Sequence, residues 1–203
     1  VDATKLIDVY DRHEHRLEQT PPHRSFRELS TLRLQLALAE LGLPSQSEDS
    51  QRLAAAIPNM PPFAEVVDTL AQLKAMGFKL CIVSNTDDEI IAGNVAQLGG
   101  HIDLVITAQQ AGAYKPAPRL FDYAHEQLGV TRDEVVHICA SPMLDHTAAR
   151  DMHFRCVWID RGTGRQFRRA AGNADRYHRD PGSQSGPVGH GHAVLPHGRL
   201  QQR

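Results

Sequence analysis

The 203-residue chain has a net charge of −2 and 41% apolar residues, enough for one ordinary domain, or for one domain with a small accessory part. It lacks any apolar run of membrane-spanning length and shows no basic-then-apolar signal at its start, so the reading is a cytoplasmic protein without a membrane role. Six arginines against two aspartates after residue 165 make the tail mildly basic and leave residues 1–165 at −6, which gives nucleic-acid binding no support.

The chain begins with Val1 rather than Met, as a fragment or an alternative start codon would. Leu6, Ile7, Tyr10 and Leu17 fall near helical spacing, and Pro21-Pro22 ends that helix. Ser25 and Glu28 then form a Ser-x-x-Glu capping box. The alternation around Leu32 to Leu38 could suggest a strand, but the cap, the length and the Gly42/Pro44 stop predict a helix with Leu29, Leu32, Leu36 and Leu43 on one side. Residues 50–57 give a third short helix, and Pro58 to Pro62 a rigid connector.

After the prolines, helix and strand alternate. A helix marked by Val66, Leu70, Leu73 and Met76 closes at Gly77, and Leu80 to Val83 is the first strand. Further strands are predicted at 104–107, 135–139 and 156–159, with helices around 91–98, 120–128 and 147–152 between them. Such a pattern calls for a parallel sheet covered on both faces, with strand ends on one common edge. All three cysteines, Cys81, Cys139 and Cys156, lie in these apolar runs, as reduced core thiols do.

The common edge collects chemistry. The first strand stops at Ser84-Asn85, with Thr86 or Asp87 placed to cap the next helix. Lys115 stands in Tyr-Lys-Pro-Ala-Pro before a helix, and Ser141 and Asp145 follow the third predicted strand. Taken singly, these residues read as a turn, a solvated lysine and a helix cap. Together at successive strand ends they read as a site: Lys115 to hold an anion, Asp145 to bind a metal or orient a water.

Residues 63–162 resemble the haloacid dehalogenase superfamily, hydrolases with an aspartate nucleophile. Ser84-Asn85 matches the family's second motif, Lys115 its third, and Asp145, in Ala-Ser-Pro-Met-Leu-Asp, its fourth. Residues 1–60 resemble the later part of the helical cap of dehalogenase-like members. The resemblance implies an α/β fold, a Rossmann-like three-layer parallel sheet core over residues 61–165 with a partial helical cap over 1–60. It implies catalytic roles for Ser84, Lys115 and Asp145, and substrate contacts for Asn85 and Ser141.

Departures from the family pattern shape the expectation. The family's Asp-x-(Tyr/Phe)-Gly-Thr nucleophile motif does not occur, and Asp8, in a helical pattern without the Gly-Thr, is no substitute. Ala140 stands where the phosphatases of the superfamily carry a second acid that helps to hold Mg²⁺, which favours a metal-free dehalogenase-like site. Pro142 and Phe121 stand where the L-2-haloacid dehalogenases have Asn and Tyr. Finally, residues 166–203 have a composition that cannot bury a core and are expected to be disordered, with His190, His192 and His197 solvated. The expected activity is hydrolysis of a small 2-haloacid through an aspartyl ester, in an intact protein longer than this chain. It requires no cofactor, and its partner is a small anionic substrate, with a homodimer allowed. The alternatives are an Mg²⁺-dependent phosphomonoesterase, with Asp145 as a metal ligand, and an inactive remnant that binds anions or a protein.

Overall fold

The computed structural model describes residues 2–46 and 48–161, so the expected tail at 166–203 lies outside the described residues. Three helices come first. Asp2 caps α1 (Ala3–Glu18) by accepting from the Thr4 amide at 2.9 Å, and the prolines at 21 and 22 follow its end. The predicted capping box opens α2 (Phe26–Glu40): the Ser25 hydroxyl accepts from the Glu28 amide at 3.2 Å, and the Glu28 carboxylate accepts from the Ser25 amide at 2.9 Å. A short α3 (Asp49–Ala56) packs on α2 and runs into the connector.

The buried stripe of α2 is not the predicted row of leucines. Leu29, Ser30, Arg33, Ala37 and Leu38 are buried, while Leu32, Leu36 and Leu43 are only half-buried. The cause is Arg33, whose side chain is fully buried yet paired. Its guanidinium donates to Glu14 of α1 and, at 2.9 Å, to the Ser30 hydroxyl. The Tyr10 and Phe26 rings lie 4.9 and 5.0 Å from it. A buried cation with hydrogen bonds and aromatic faces is tolerable where an unpaired one is not, so the network sets the roll of the helix.

The alternating half follows: α4 (Val66–Ala75), β1 (Cys81–Ser84), α5 (Asp88–Ala96), β2 (Leu104–Thr107), α6 (Ala108–Ala111), α7 (Pro118–Leu128), β3 (Val136–Cys139), α8 (Thr147–Met152) and β4 (Arg155–Trp158). A single turn of π-helix, Pro142–His146, precedes α8. The connector meets α5 very closely: a Cβ on Gly93 would lie 2.5 Å from the Pro58 Cβ, and Asn94 and Gln97 donate side-chain hydrogen bonds to the Ile57 and Pro58 carbonyls.

All strand pairing is parallel, as the helical connections require. β1 pairs with β2 so that Ser84 faces Thr107, and β3 with β4 so that Cys139 faces Trp158. Among the described residues these are two separate two-stranded sheets, with no pairing between β1 and β3. Helix α7 serves both. Leu120 and Ala124 pack with Ile106, Cys81 and Val83 on the first pair, and Phe121 packs with Ala148, Ala149, Met152 and Phe154 beside the second. Each such fully buried large side chain contributes about 1.5–3 kcal/mol. The covering expected on both sheet faces is not complete among the described residues, since Val136, Ile138 and Val157 on one face of β3–β4 are about half exposed.

The three cysteines are free, with Cys139 buried and the other two half-buried. Burial pushes the Cys81 thiol up to about 11 and Cys139 to about 12, which makes them core thiols rather than nucleophiles.

Candidate functional site

The carboxyl ends of the strands bring Asn85, Lys115 and Asp145 together through a chain of hydrogen bonds that begins at Asn85, the residue after Ser84 at the end of β1. The Asn85 carbonyl oxygen accepts from the Lys115 backbone amide at 2.7 Å, and its amide nitrogen lies 3.3 Å from the Lys115 carbonyl. One side chain therefore grips both backbone groups of Lys115, and Gln19 donates to the same carbonyl at 3.3 Å. The loop before α7 is fixed in this way, and Lys115 is buried rather than solvated.

The Lys115 ammonium donates to Asp145 Oδ1 at 2.7 Å. The same oxygen meets His137 Nε2 at 2.8 Å, from the middle of β3. Asp145 is itself buried, in the π-helical turn where its amide donates to the Ser141 carbonyl at 3.1 Å. Burial alone would raise its pKa. The His137 hydrogen bond and the charge and hydrogen bond of Lys115 outweigh it and hold the carboxyl below its ordinary range. Asp145 is therefore an anion at neutral pH, and Lys115, with three donors, keeps capacity for another oxygen.

Within Ala140–Asp145 the one carboxylate is that of Asp145: its Oδ1 is shared by an ammonium and an imidazole, and Ala140 supplies no second acid beside it. Among the described residues, no group of three or more His, Cys, Asp or Glu could hold a metal ion.

Two predicted positions behave differently from expectation. Asp87 stands at the N-cap of α5 but makes no capping bond there. Its carboxylate instead accepts from the Phe26 and Arg27 amides at 2.9 and 3.0 Å, the orphan donors at the start of α2. Thr86, the other candidate cap, is buried with its hydroxyl unpaired among the described residues. Ser84 ends β1 half-buried, and Ser141 is half-buried at the end of β3.

Besides Gln19, two residues of the cluster escaped the sequence reading. His137 had a signal, as the sole polar residue within the apolar run Val135–Cys139. Glu18 had none of its own. It closes α1, its side chain is 1% exposed, and Oε2 accepts from the Asn85 amide nitrogen at 3.2 Å. Burial, and the neighbouring Glu14 carboxylate, raise its pKa to about 8, against the opposing pull of Arg33, Asn85 and Lys115.

Comparison with known proteins gives the family. A family profile described as a hydrolase, haloacid dehalogenase-like hydrolase, matches residues 12–152. The (S)-2-haloacid dehalogenase of Pseudomonas sp. (strain YL) is 31% identical over 145 residues, 70% of this chain and 62% of that protein. The phosphoserine phosphatase of Thermus thermophilus is 32% identical over 104 residues, 50% of this chain and 42% of that protein. Among solved structures, a dehalogenase with an intermediate complex gives a TM-score of 0.73 at 25% identity, covering 79% of this chain and 74% of that one. The L-2-haloacid dehalogenase from Xanthobacter autotrophicus with chloropropionic acid covalently bound shares the fold, with a TM-score of 0.68 at 22% identity over 76% of this chain and 64% of that one. The chain thus spans about 62% of the length of the (S)-2-haloacid dehalogenases it matches. With a profile match over most of its length and its motifs assembled in space, the chain belongs to the haloacid dehalogenase-like hydrolase family.

Proposed function

We propose that the whole protein hydrolyses the carbon–halogen bond of a small 2-haloacid without a metal. The observation that carries this reading is the commitment of a single Asp145 oxygen to both Lys115 and His137, with alanine at position 140. A phosphatase site needs hard oxygen ligands at that place. The similarity to (S)-2-haloacid dehalogenases supports the same substrate class.

The chemistry runs in two steps. An aspartate oxygen attacks the halogen-bearing carbon, a C–O bond forms, and the carbon–halogen electron pair leaves as halide. Water then adds to the ester carbonyl and the acyl–oxygen bond breaks, which returns the carboxylate and releases the 2-hydroxyacid and one proton. Lys115 neutralises the anionic centre, Ser84, Asn85 and Ser141 hold the substrate's anionic group, and Asp145 orients the water or Lys115. The attacking aspartate is not supplied by the sequence, which lacks the Asp-x-(Tyr/Phe)-Gly-Thr motif. We place it on a strand that pairs with both β1 and β3, which do not pair with each other among the described residues. Three free, high-pKa thiols suit a reducing cytoplasm.

The test begins with the coding DNA ahead of Val1. An in-frame Asp-x-(Tyr/Phe)-Gly-Thr is expected there. The protein extended to include it should release halide from 2-chloropropionate in the presence of a chelator. Hydrolysis of phosphate esters alone, abolished by the chelator, contradicts the proposal.

A further inference from the structure

Among the described residues, Glu18 is the one carboxyl group from the helical part that reaches the Asn85–Lys115 grip. Asn85 has two amide hydrogens and both face acceptors, Glu18 Oε2 at 3.2 Å and the Lys115 carbonyl at 3.3 Å. The donor that Asn85 would offer an anionic substrate is therefore occupied by a carboxyl group of the protein. The other Glu18 oxygen is buried without a hydrogen-bond partner among the described residues, because Arg33 Nη1 stands 3.8 Å away, beyond hydrogen-bond reach. A buried carboxylate left so poorly paired is costly, whereas the neutral acid is tolerable.

We infer that Glu18 is a specificity-determining residue of the anion site: as the neutral acid it yields the Asn85 donor to a small carboxylate, and as the carboxylate it excludes one. The inference rests on the proposed anion-binding role of Asn85 and Lys115. The groups facing Glu18 are Glu14 on its own helix, Arg33 from α2, and Asn85, Tyr114 and Lys115 from the α/β part. Arg33 and Lys115 are already engaged by Glu14 and Asp145, so neither is free to neutralise an ionised Glu18 fully. With ionisation centred at about pH 8, the switch works within the range where enzymes are assayed.

The 203-residue chain itself allows the test, with (S)-2-chloropropionate as probe, an anion throughout the range used. Affinity is read by NMR titration at pH 7 and pH 9 for wild type and Glu18→Gln, which keeps the volume and an acceptor for Asn85 but removes the charge. Wild type should bind about tenfold more weakly at pH 9, following the neutral fraction of Glu18, and Glu18→Gln should change less than about twofold. Binding that weakens equally in both proteins, or that is flat with pH in wild type, overturns the inference and leaves the anion site intact. Absence of binding in both proteins at both pH values overturns the anion site, and the inference with it. Should the variant not fold, the Asn85 side-chain amide signals of wild type decide. A transition between pH 7 and pH 9 is expected, and none would overturn the inference.

Discussion

Replacing Lys115 by Met tests the heart of the site, because it keeps most of the length of the side chain and removes the ammonium, its charge and its hydrogen bond to Asp145 together. Lys115 Nζ lies 2.7 Å from Asp145 Oδ1, with the two side chains 11% and 5% exposed, so solvent screens the pair little. At an effective dielectric near 20 the gross attraction is roughly 6 kcal/mol, much of it offset by desolvation. Breaking a buried pair by removing one partner costs about 3–5 kcal/mol. Here His137 still holds the carboxylate at 2.8 Å, so the expectation is the lower end, about 3 kcal/mol, by urea unfolding at pH 7.5. The double variant Lys115→Met/Asp145→Asn should cost about 1.5–3 kcal/mol less than the sum of the single changes. The pH dependence has a definite sign. Asp145 is held below the ordinary carboxylate range, so its stabilisation is present above the unfolded-state value and is lost on acidification. The gap between wild type and Lys115→Met should narrow as the pH falls from 5 towards 3. Additive single changes, or a gap that widens in acid, would refute the reasoning.

Other changes reach the surroundings of the site. Glu18 is raised from 4.5 to about 8, so wild type should lose stability steadily as the pH rises through that window, by roughly 3–5 kcal/mol at most, and Glu18→Gln should flatten the curve in thermal melts. Asp87→Ala leaves the Phe26 and Arg27 amides without their carboxylate and should cost about 1–3 kcal/mol, with faster hydrogen exchange at the start of α2. Gly93→Ala drives a methyl into Pro58, backbone and ring together, and should cost about 1–3 kcal/mol in denaturant unfolding.

Much of this organisation was legible in the sequence, for identifiable reasons. The capping box of α2, the apolar run of β2 and the bounds of α8 depend on neighbouring residues, and the structure places them where the local pattern does. Lys115 and Asp145 were legible because parallel topology gathers strand ends, whatever the sequence between them. What was not legible depends on contacts far along the chain. The roll of α2 is set by Arg33 meeting Glu14, which a count of leucines cannot foresee. Asp87 looked like a cap for α5, yet the α2 N-terminus, 61 residues away, takes its carboxylate. Glu18 looks like any helix-end acid until Asn85, 67 residues on, is found against it.

These long-range contacts tie the helical part to the strand ends. Asp87 holds the start of α2, Glu18 and Gln19 reach Asn85 and the Lys115 carbonyl, and the Tyr114 hydroxyl donates to the Arg24 carbonyl at 2.9 Å. A substrate bound among these groups would meet both parts at once, so changes at the end of α1 should alter substrate affinity as well as stability.

The most direct measurement of the central claim is halide release from (S)-2-chloropropionate, followed by ion chromatography, for the protein extended through its nucleophile motif and dialysed against a chelator. The account predicts one halide per 2-hydroxyacid formed, undiminished by the chelator and lost in Lys115→Met. Release that stops on chelation and returns with Mg²⁺ would contradict it.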